Sequence, residues 1–330
     1  MFFAFKKHKF DIITIGSATR DIFLISDQFQ FIQSEQFSTG VGECLPFGSK
    51  IDAQKMVRST GGGATNAAAT FSQLGFNTAV IAKIGQGSIG QDVIAELEGN
   101  RIDTSLMIRC AGQTGYSTLL TDEKTGERSV IVYRGVSAKF SSEDIPWRKA
   151  KADWFYLTSL GGNLGISKKI IEHAAKIKAA IAWNPGGGEI KKGWRQISPL
   201  LEQVKIFNLN FEEAQGLTGE TAIKPMLKKL ARAGNIVIIT KGAEGAYAHQ
   251  DGKTYFARAT KAKAVSRTGA GDAFGSGFVA GYIKTGDLVK SLQVASLNAE
   301  SVIKIIGAKT GLLTQWPSSA RLKTIKVKKV

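Results

Sequence analysis

One carboxylate, Asp272, stands in a segment crowded with glycine. "RTGAGDAFGSGFVAGY" carries Gly269, Gly271, Gly275, Gly277 and Gly281 where a strand runs into a helix. Glycine inside a helix is less favourable than alanine by roughly 1 kcal/mol, so this density needs a cause. A helix N-terminus offers unpaired backbone N–H groups and a partial positive charge, which suits phosphate. Gly269, Ala270 and Gly271 fall where those N–H groups begin, and none has a bulky side chain to block an anion. Asp272 would lie in the first turn, its charged form favoured by the helix dipole. The plainer account is a tight turn with Asp272 as a cap and the glycines serving helix–sheet packing. The density of Gly269, Gly271, Gly275 and Gly277 around one acid favours a ligand at the turn, with something packed along the bare face beyond it.

Two more glycine clusters precede helices. In "GGGATNAA", Gly61 to Gly63 permit close backbone approach and Asn66 can give and accept hydrogen bonds. In "GQGSIG", Gly85, Gly87 and Gly90 fit G-x-G-x-x-G, the dinucleotide fingerprint. That spacing makes an NAD(P)-linked oxidoreductase the runner-up. Three features oppose it. The motif is not on the first strand, the acid expected to close the next strand is missing because "SLMIR" ends on Arg109, and Gly269 would have no role. No Walker A lysine motif and no H-R-D loop occurs, which excludes those phosphotransferase classes.

These residues need a frame. "FDIITI" opens as a buried β-branched strand, and after Ser137 strands and helices alternate steadily. The rhythm predicts one α/β domain over 1–330, a mostly parallel sheet with helices on both faces. Segments 22–58 and 112–136 break the rhythm and read as a small β-sheet lid. The 330 residues are 43% hydrophobic and 22% charged, an ordinary globular composition without an apolar run of membrane-span length. The start "MFFAFKKHKF" does not read as a secretory signal, and Cys44 and Cys110 stand in no metal-binding spacing, so a reducing cytoplasm is expected. The net charge of +17 suits small anions. No nucleic-acid motif accompanies it, which ranks nucleic acid and a non-catalytic regulator lower. The lysine-rich tail "RLKTIKVKKV" suits a guarded edge strand.

"GGGATNAA" and "RTGAGDAFGSGF", in this order, resemble the two signatures of the ribokinase (PfkB) family of sugar and nucleoside kinases. "GSATRD", "AKIGQGSIG", "NPGG", "NLNFEEA", "TKGAEG" and "GAKTG" extend the resemblance along nearly the whole chain. It implies a ribokinase-like fold and ATP-dependent phosphorylation of a small sugar hydroxyl, with a nucleoside as the alternative acceptor. Asp272 would be the general base, and the N–H groups of Gly269, Ala270 and Gly271 the anion hole. Asp21, Gly62, Gly63 and Asn66 match positions that bind sugar hydroxyls, and Arg134 of "VYRG" is either a further substrate contact or a solvated strand arginine. Asn210 and Glu213 match the N-x-x-E that organises Mg2+ and phosphate through water. Thr240, Gly242 and Gly245 match the segment along the ATP phosphates, and Asn298 would border adenine. Lids of the family also pair between chains, so a homodimer through the lid is an expectation.

Two departures qualify the resemblance. A glutamate that often contacts the sugar is replaced by Thr158 and Ser159 in "WFYLTSLGG", which puts ribose itself in doubt. An aspartate that helps hold a monovalent cation is Ser266, followed by Arg267. Either Arg267 partly replaces the ion and potassium is dispensable, or the guanidinium points to solvent and backbone carbonyls still hold an ion.

Overall fold

The computed structural model describes residues 8–37 and 40–330; the apolar start of the chain, with Lys6 and Lys7 of its basic cluster, lies outside them. Phe10–Ile15 forms because five of its six residues are buried, including Ile12, Ile13 and Ile15, so both faces of the strand are covered. Around it lies a nine-stranded sheet. From one edge its order is Val327–Lys329, Lys253–Arg258, Gly245–Gln250, Ile236–Thr240, Ile206–Asn210, Ala180–Trp183, Ala152–Leu157, Phe10–Ile15 and Thr78–Ile81. Neighbours from Ile236–Thr240 to Thr78–Ile81 pair in parallel, and the three strands before them join antiparallel. The lysine-bearing tail is the edge strand its composition suggests.

Successive side chains feed opposite cores. Ile13, Ile15, Phe155, Leu157, Phe207 and Leu209 pack with helices Leu164–Lys176, Phe211–Thr218 and Ile223–Leu230. Ile12, Tyr156, Ile206 and Ile238 pack with Gly63–Gln73, Ala270–Thr285 and Leu288–Ile303. This is the expected α/β architecture.

The two off-rhythm segments meet in a second sheet, ordered Arg128–Tyr133, Gly115–Asp122, Thr19–Ser26 and Lys55–Gly61. Thr19–Ser26 runs parallel to Gly115–Asp122, with Asp21 opposite Ser117. The sheet begins at Thr19 and ends its last-added strand at Gly61, so it takes in residues on either side of 22–58. The middle of that segment forms a separate hairpin, Gln30–Gln33 with Val41–Cys44.

The glycines of Ala270–Thr285 divide by cause. A Cβ on Gly275 would stand 2.5 Å from the Tyr156 hydroxyl and from Asn208 Nδ2. One on Gly277 would stand 3.1 Å from Ala295 Cα, and one on Gly281 2.7 Å from Ser291 Cα. These three let the helix lie close on the sheet and on Leu288–Ile303. Their cause is packing, so the ligand reading narrows to the turn itself.

Candidate active site

The site collects at the carboxyl edge of the parallel strands, where open α/β sheets bind ligands. Helix Ala270–Thr285 starts there from Gly269, whose φ of 80° is left-handed and whose Cα rests on the next loop, a Cβ falling 2.5 Å from the Ala308 carbonyl oxygen. Gly271 faces open space. Ala270 N–H makes one long contact, 3.4 Å to the Arg267 carbonyl, and among the described residues the N–H groups of Gly269, Gly271 and Asp272 find no acceptor in the protein. Three donors at a helix N-terminus are thus left for an anion.

Asp272 is half-buried, and its Oδ2 accepts 2.8 Å from Asn66 Nδ2. The Asn66 Oδ1 accepts 3.3 Å from Lys309 Nζ, which also donates to the Thr60 carbonyl. Burial pushes the Asp272 carboxyl above the usual aspartate range, while the Asn66 hydrogen bond and the Lys309 charge pull it back. Asp21, on Thr19–Ser26, accepts 2.9 Å from Thr19 Oγ1 and is raised by burial in the same way. Its carboxylate occupies the space beside Gly61, where a Cβ would fall 1.9 Å from Asp21 Oδ2 and force the side chain to move. Gly62 begins helix Gly63–Gln73 at φ 96°, and Gly63 N–H donates 3.3 Å to Ser17 Oγ. Asp21, Gly62, Gly63, Asn66 and Asp272 are therefore one neighbourhood.

Asn210 and Glu213 form a reciprocal cap on Phe211–Thr218: Glu213 N–H donates 2.7 Å to Asn210 Oδ1, and Asn210 N–H donates 3.0 Å to Glu213 Oε2. The helix therefore needs this pair whatever else it does. Burial and the neighbouring Glu212 and Glu189 push the Glu213 carboxyl up. Thr240 pairs in register with Asn210 across the adjoining strands, and Gly242, at φ 50°, faces open space. Among the described residues no three His, Cys, Asp or Glu side chains converge on a metal. A divalent ion would therefore depend on Glu213, water and the phosphates it accompanies.

Some expected contacts fall elsewhere. Asn298 has no exposed surface; its amide donates to Thr70 Oγ1 and the Ala273 carbonyl and accepts from Leu313 N–H, so it ties the core and cannot border adenine. Gly245 is buried in its strand, where a Cβ would fall 2.1 Å from the Ala257 carbonyl oxygen, so strand pairing explains it. Arg134 is exposed and makes no side-chain contact with the residues above, which agrees with its solvated reading. The "GQGSIG" glycines clear backbone against backbone: a Cβ on Gly85 would meet the Gly112 carbonyl at 2.2 Å and one on Gly90 the Gly85 carbonyl at 2.0 Å. Strand Lys83–Gly85 pairs with Ile108–Cys110 outside the main sheet, so no dinucleotide cleft opens there.

Arg267 also resolves. Its side chain is 70% exposed and lies 3.5 Å from Glu127 on the turn between Gly115–Asp122 and Arg128–Tyr133. Beside it, Gly126 packs on Val265, where a Cβ would fall 2.7 Å from the carbonyl oxygen. The guanidinium is spent on this surface contact instead of the anion hole. Arg267→Ala is expected to leave turnover within about twofold, because exposed pairs contribute little. Steady-state assays with and without potassium check this, and a larger loss in potassium-free buffer would return the arginine to the hole.

Three charged residues escaped the sequence reading. Glu96, on Ser88–Gly99, receives Thr60 N–H at 2.9 Å, Thr60 Oγ1 at 2.8 Å and Arg20 Nη1 at 2.7 Å, and so holds the end of strand Lys55–Gly61. Lys309 belongs to "GAKTG", where a lysine between glycines reads as solvated. Glu189, in "NPGGGEI", is fully buried and receives Ser159 Oγ at 2.8 Å and the N–H groups of Leu160, Gly162 and Gly186 at 2.7, 2.9 and 3.0 Å. Only tertiary structure brings these donors together. Glu189→Leu would strand all of them, and chemical denaturation is expected to show a loss of at least about 3 kcal/mol.

Free N–H groups, a half-buried carboxylate and its amide partner meet at the carboxyl edge of a parallel sheet, an arrangement that suits phosphoryl transfer to an alcohol group. Residues 10–315 match the pfkB family carbohydrate kinases, and the chain belongs to that family. It is 29% identical to an uncharacterised sugar kinase of Archaeoglobus fulgidus over 73% of this chain and 97% of that one. It is 24% identical to the ATP-dependent 6-phosphofructokinase of Thermoanaerobacterium thermosaccharolyticum, covering 87% of this chain and 94% of the other. The nucleoside kinase structure of Methanocaldococcus jannaschii superimposes with a TM-score of 0.74 at 20% identity, covering 95% of this chain and 98% of that one. Sugar or nucleoside phosphorylation is the activity these findings support.

Proposed function

We propose that the protein transfers the γ-phosphoryl group of ATP to a hydroxyl of a small sugar, with Asp272 taking the hydroxyl proton. The observation that carries this reading is the juxtaposition of Asp272, hydrogen-bonded to Asn66, with the unpaired N–H groups of Gly269 and Gly271. The N–H groups stabilise charge on the phosphoryl oxygens as it passes, and Asp21, Gly62, Gly63 and Asn66 orient the acceptor. Asn210, Glu213, Thr240 and Gly242 hold the nucleotide side. Glu213 would hold a divalent ion through water, and that ion would supply neutralisation of phosphate charge. Burial raises the Asp272 carboxyl, which makes its ionised form a better proton acceptor than an ordinary aspartate.

The sheet containing Thr19–Ser26 acts as the lid, since Asp21 joins it directly to the acceptor side. It excludes water, which competes as phosphate acceptor. Its outer strand leaves Val130, Ile131, Val132 and Tyr133 exposed at 47%, 63%, 47% and 54%, which supports pairing with a second copy and a dimer measurable by sedimentation. Free sugars are the first acceptors to test. The Ser159 hydroxyl donates to the saturated Glu189, so no free carboxylate stands there to receive a ribose hydroxyl.

The deciding experiment mixes protein, ATP and Mg2+ with ribose, fructose, 2-dehydro-3-deoxygluconate, ribose 1-phosphate, fructose 6-phosphate and adenosine, and follows ADP release. Release with a sugar and not adenosine supports the proposal. Release with adenosine alone favours a nucleoside kinase, and none above background sinks the assignment.

A further inference from the structure

We propose that Lys309 is a positioning residue for the catalytic carboxylate: its ammonium fixes the direction of the Asn66 amide and thereby aims an N–H at Asp272. The side chain of Lys309 is only 7% exposed, yet its Nζ has definite partners: the Thr60 carbonyl, Asn66 Oδ1 at 3.3 Å and Glu96 Oε1 at 3.8 Å. An amide can be turned two ways. With Oδ1 toward the ammonium, Nδ2 must face Asp272, where it donates at 2.8 Å. The reversed amide would put N–H against a cation and oxygen against a carboxylate, two repulsions at once. One buried charge therefore selects the state in which Asp272 is held.

The turn carrying Lys309 is itself fixed against the anion hole, because Gly269 packs on the backbone of Ala308. Lys309 thus takes its position from the same contact that shapes the start of the catalytic helix. Its charged surroundings come from three elements: Glu96 on Ser88–Gly99, Asp21 and Arg20 on Thr19–Ser26, and Asp272 on Ala270–Thr285. Burial lowers the Lys309 ammonium to about 8, the three carboxylates working against that fall and Arg20 with it. The ammonium is charged at neutral pH and gives up its proton within reach of ordinary assays.

This inference rests on Asp272 as the base, but its first test needs no turnover. Lys309→Met keeps the length and apolar stem and removes the charge. In the ligand-free protein, the carboxyl 13C titration of Asp272, assigned by its disappearance in Asp272→Asn, is expected to move up by at least about half a unit. Once an acceptor is known from ADP release, kcat in Lys309→Met is expected to fall at least tenfold with the KM for ATP within twofold, and Lys309→Arg to recover part of it. A folded Lys309→Met with an unmoved Asp272 titration overturns the proposal. If that variant does not fold, the wild-type kcat/KM for the acceptor must decline above about pH 8, and Lys309→Arg must lose that decline. A wild-type profile flat to pH 9.5 overturns it as well. Should Asp272→Asn keep full turnover, the base assignment fails by itself, while the titration still decides whether Lys309 sets the carboxylate.

Discussion

Asp272→Asn is expected to lower turnover at least about a hundredfold while ATP still binds, the scale of losing a general base. The substitution keeps the size and an oxygen for the 2.8 Å hydrogen bond from Asn66, so the change is confined to charge and basicity. Stability should move the other way. Burial raises the folded-state pKa of Asp272, so its contribution to stability is present below the unfolded pKa and lost as pH rises through the folded one. At pH 7 the variant, with no charge to desolvate, should melt no lower than the wild type. Its advantage should shrink as pH falls toward the ordinary aspartate range, where both proteins are neutral at this position. Turnover measured with the identified acceptor, isothermal titration with ATP and melting curves at pH 7 and pH 4 check the three parts. An unchanged kcat removes Asp272 from the mechanism, and a large loss of Tm would mean that the carboxylate is chiefly structural.

Gly269→Ala carries the other large effect. Its φ of 80° is left-handed, and the added methyl would meet the Ala308 carbonyl oxygen at 2.5 Å and Ala308 Cα at 2.7 Å. Backbone cannot retreat as a flexible side chain can. The turn would have to shift, taking the free N–H groups and Lys309 with it. A loss of at least about 2 kcal/mol is expected, from conformational strain and overpacking together, with turnover reduced more than tenfold. Gly271→Ala is the internal control. It sits in the helix with open space beyond it, so alanine there should hold or raise stability by up to about 1 kcal/mol. Its methyl should instead raise the KM for ATP. Equal destabilisation by both substitutions would show that the turn is not braced by Ala308.

Much of this frame was legible in the sequence because periodicity and turn chemistry are local. The alternation after Ser137 gave a parallel sheet, and Gly269 to Asp272 marked a helix start suited to an anion. The lid segments were visible as interruptions, but not the parallel pairing of Thr19–Ser26 with Gly115–Asp122, which joins residues far apart in the chain. The same limit explains Glu189 and Glu96. A glutamate in a glycine loop or on a helix reads as solvated until distant N–H groups are seen to converge on it. Asn298 erred in the opposite direction: its position matched a ligand contact, yet it is fully buried and three internal partners take both its N–H groups and its oxygen. Glycine was ambiguous for a physical reason, since absent side chains admit a ligand at Gly271 and a neighbouring helix at Gly277 alike.

The contact of Gly126 and Glu127 with Val265 and Arg267 changes the mechanics of the smaller sheet. One end is rooted where Thr19, Gly61 and Gly115 lie side by side next to the acceptor loops. The other end rests on the loop leading into Gly269. The sheet is thus a beam on two supports, not a cantilever. Its far support is an exposed ion pair and a glycine touching a carbonyl, much the weaker of the two. If the sheet opens, it is expected to lift first at the turn that carries Gly126 and Glu127 and to keep its root beside Thr19, Gly61 and Gly115.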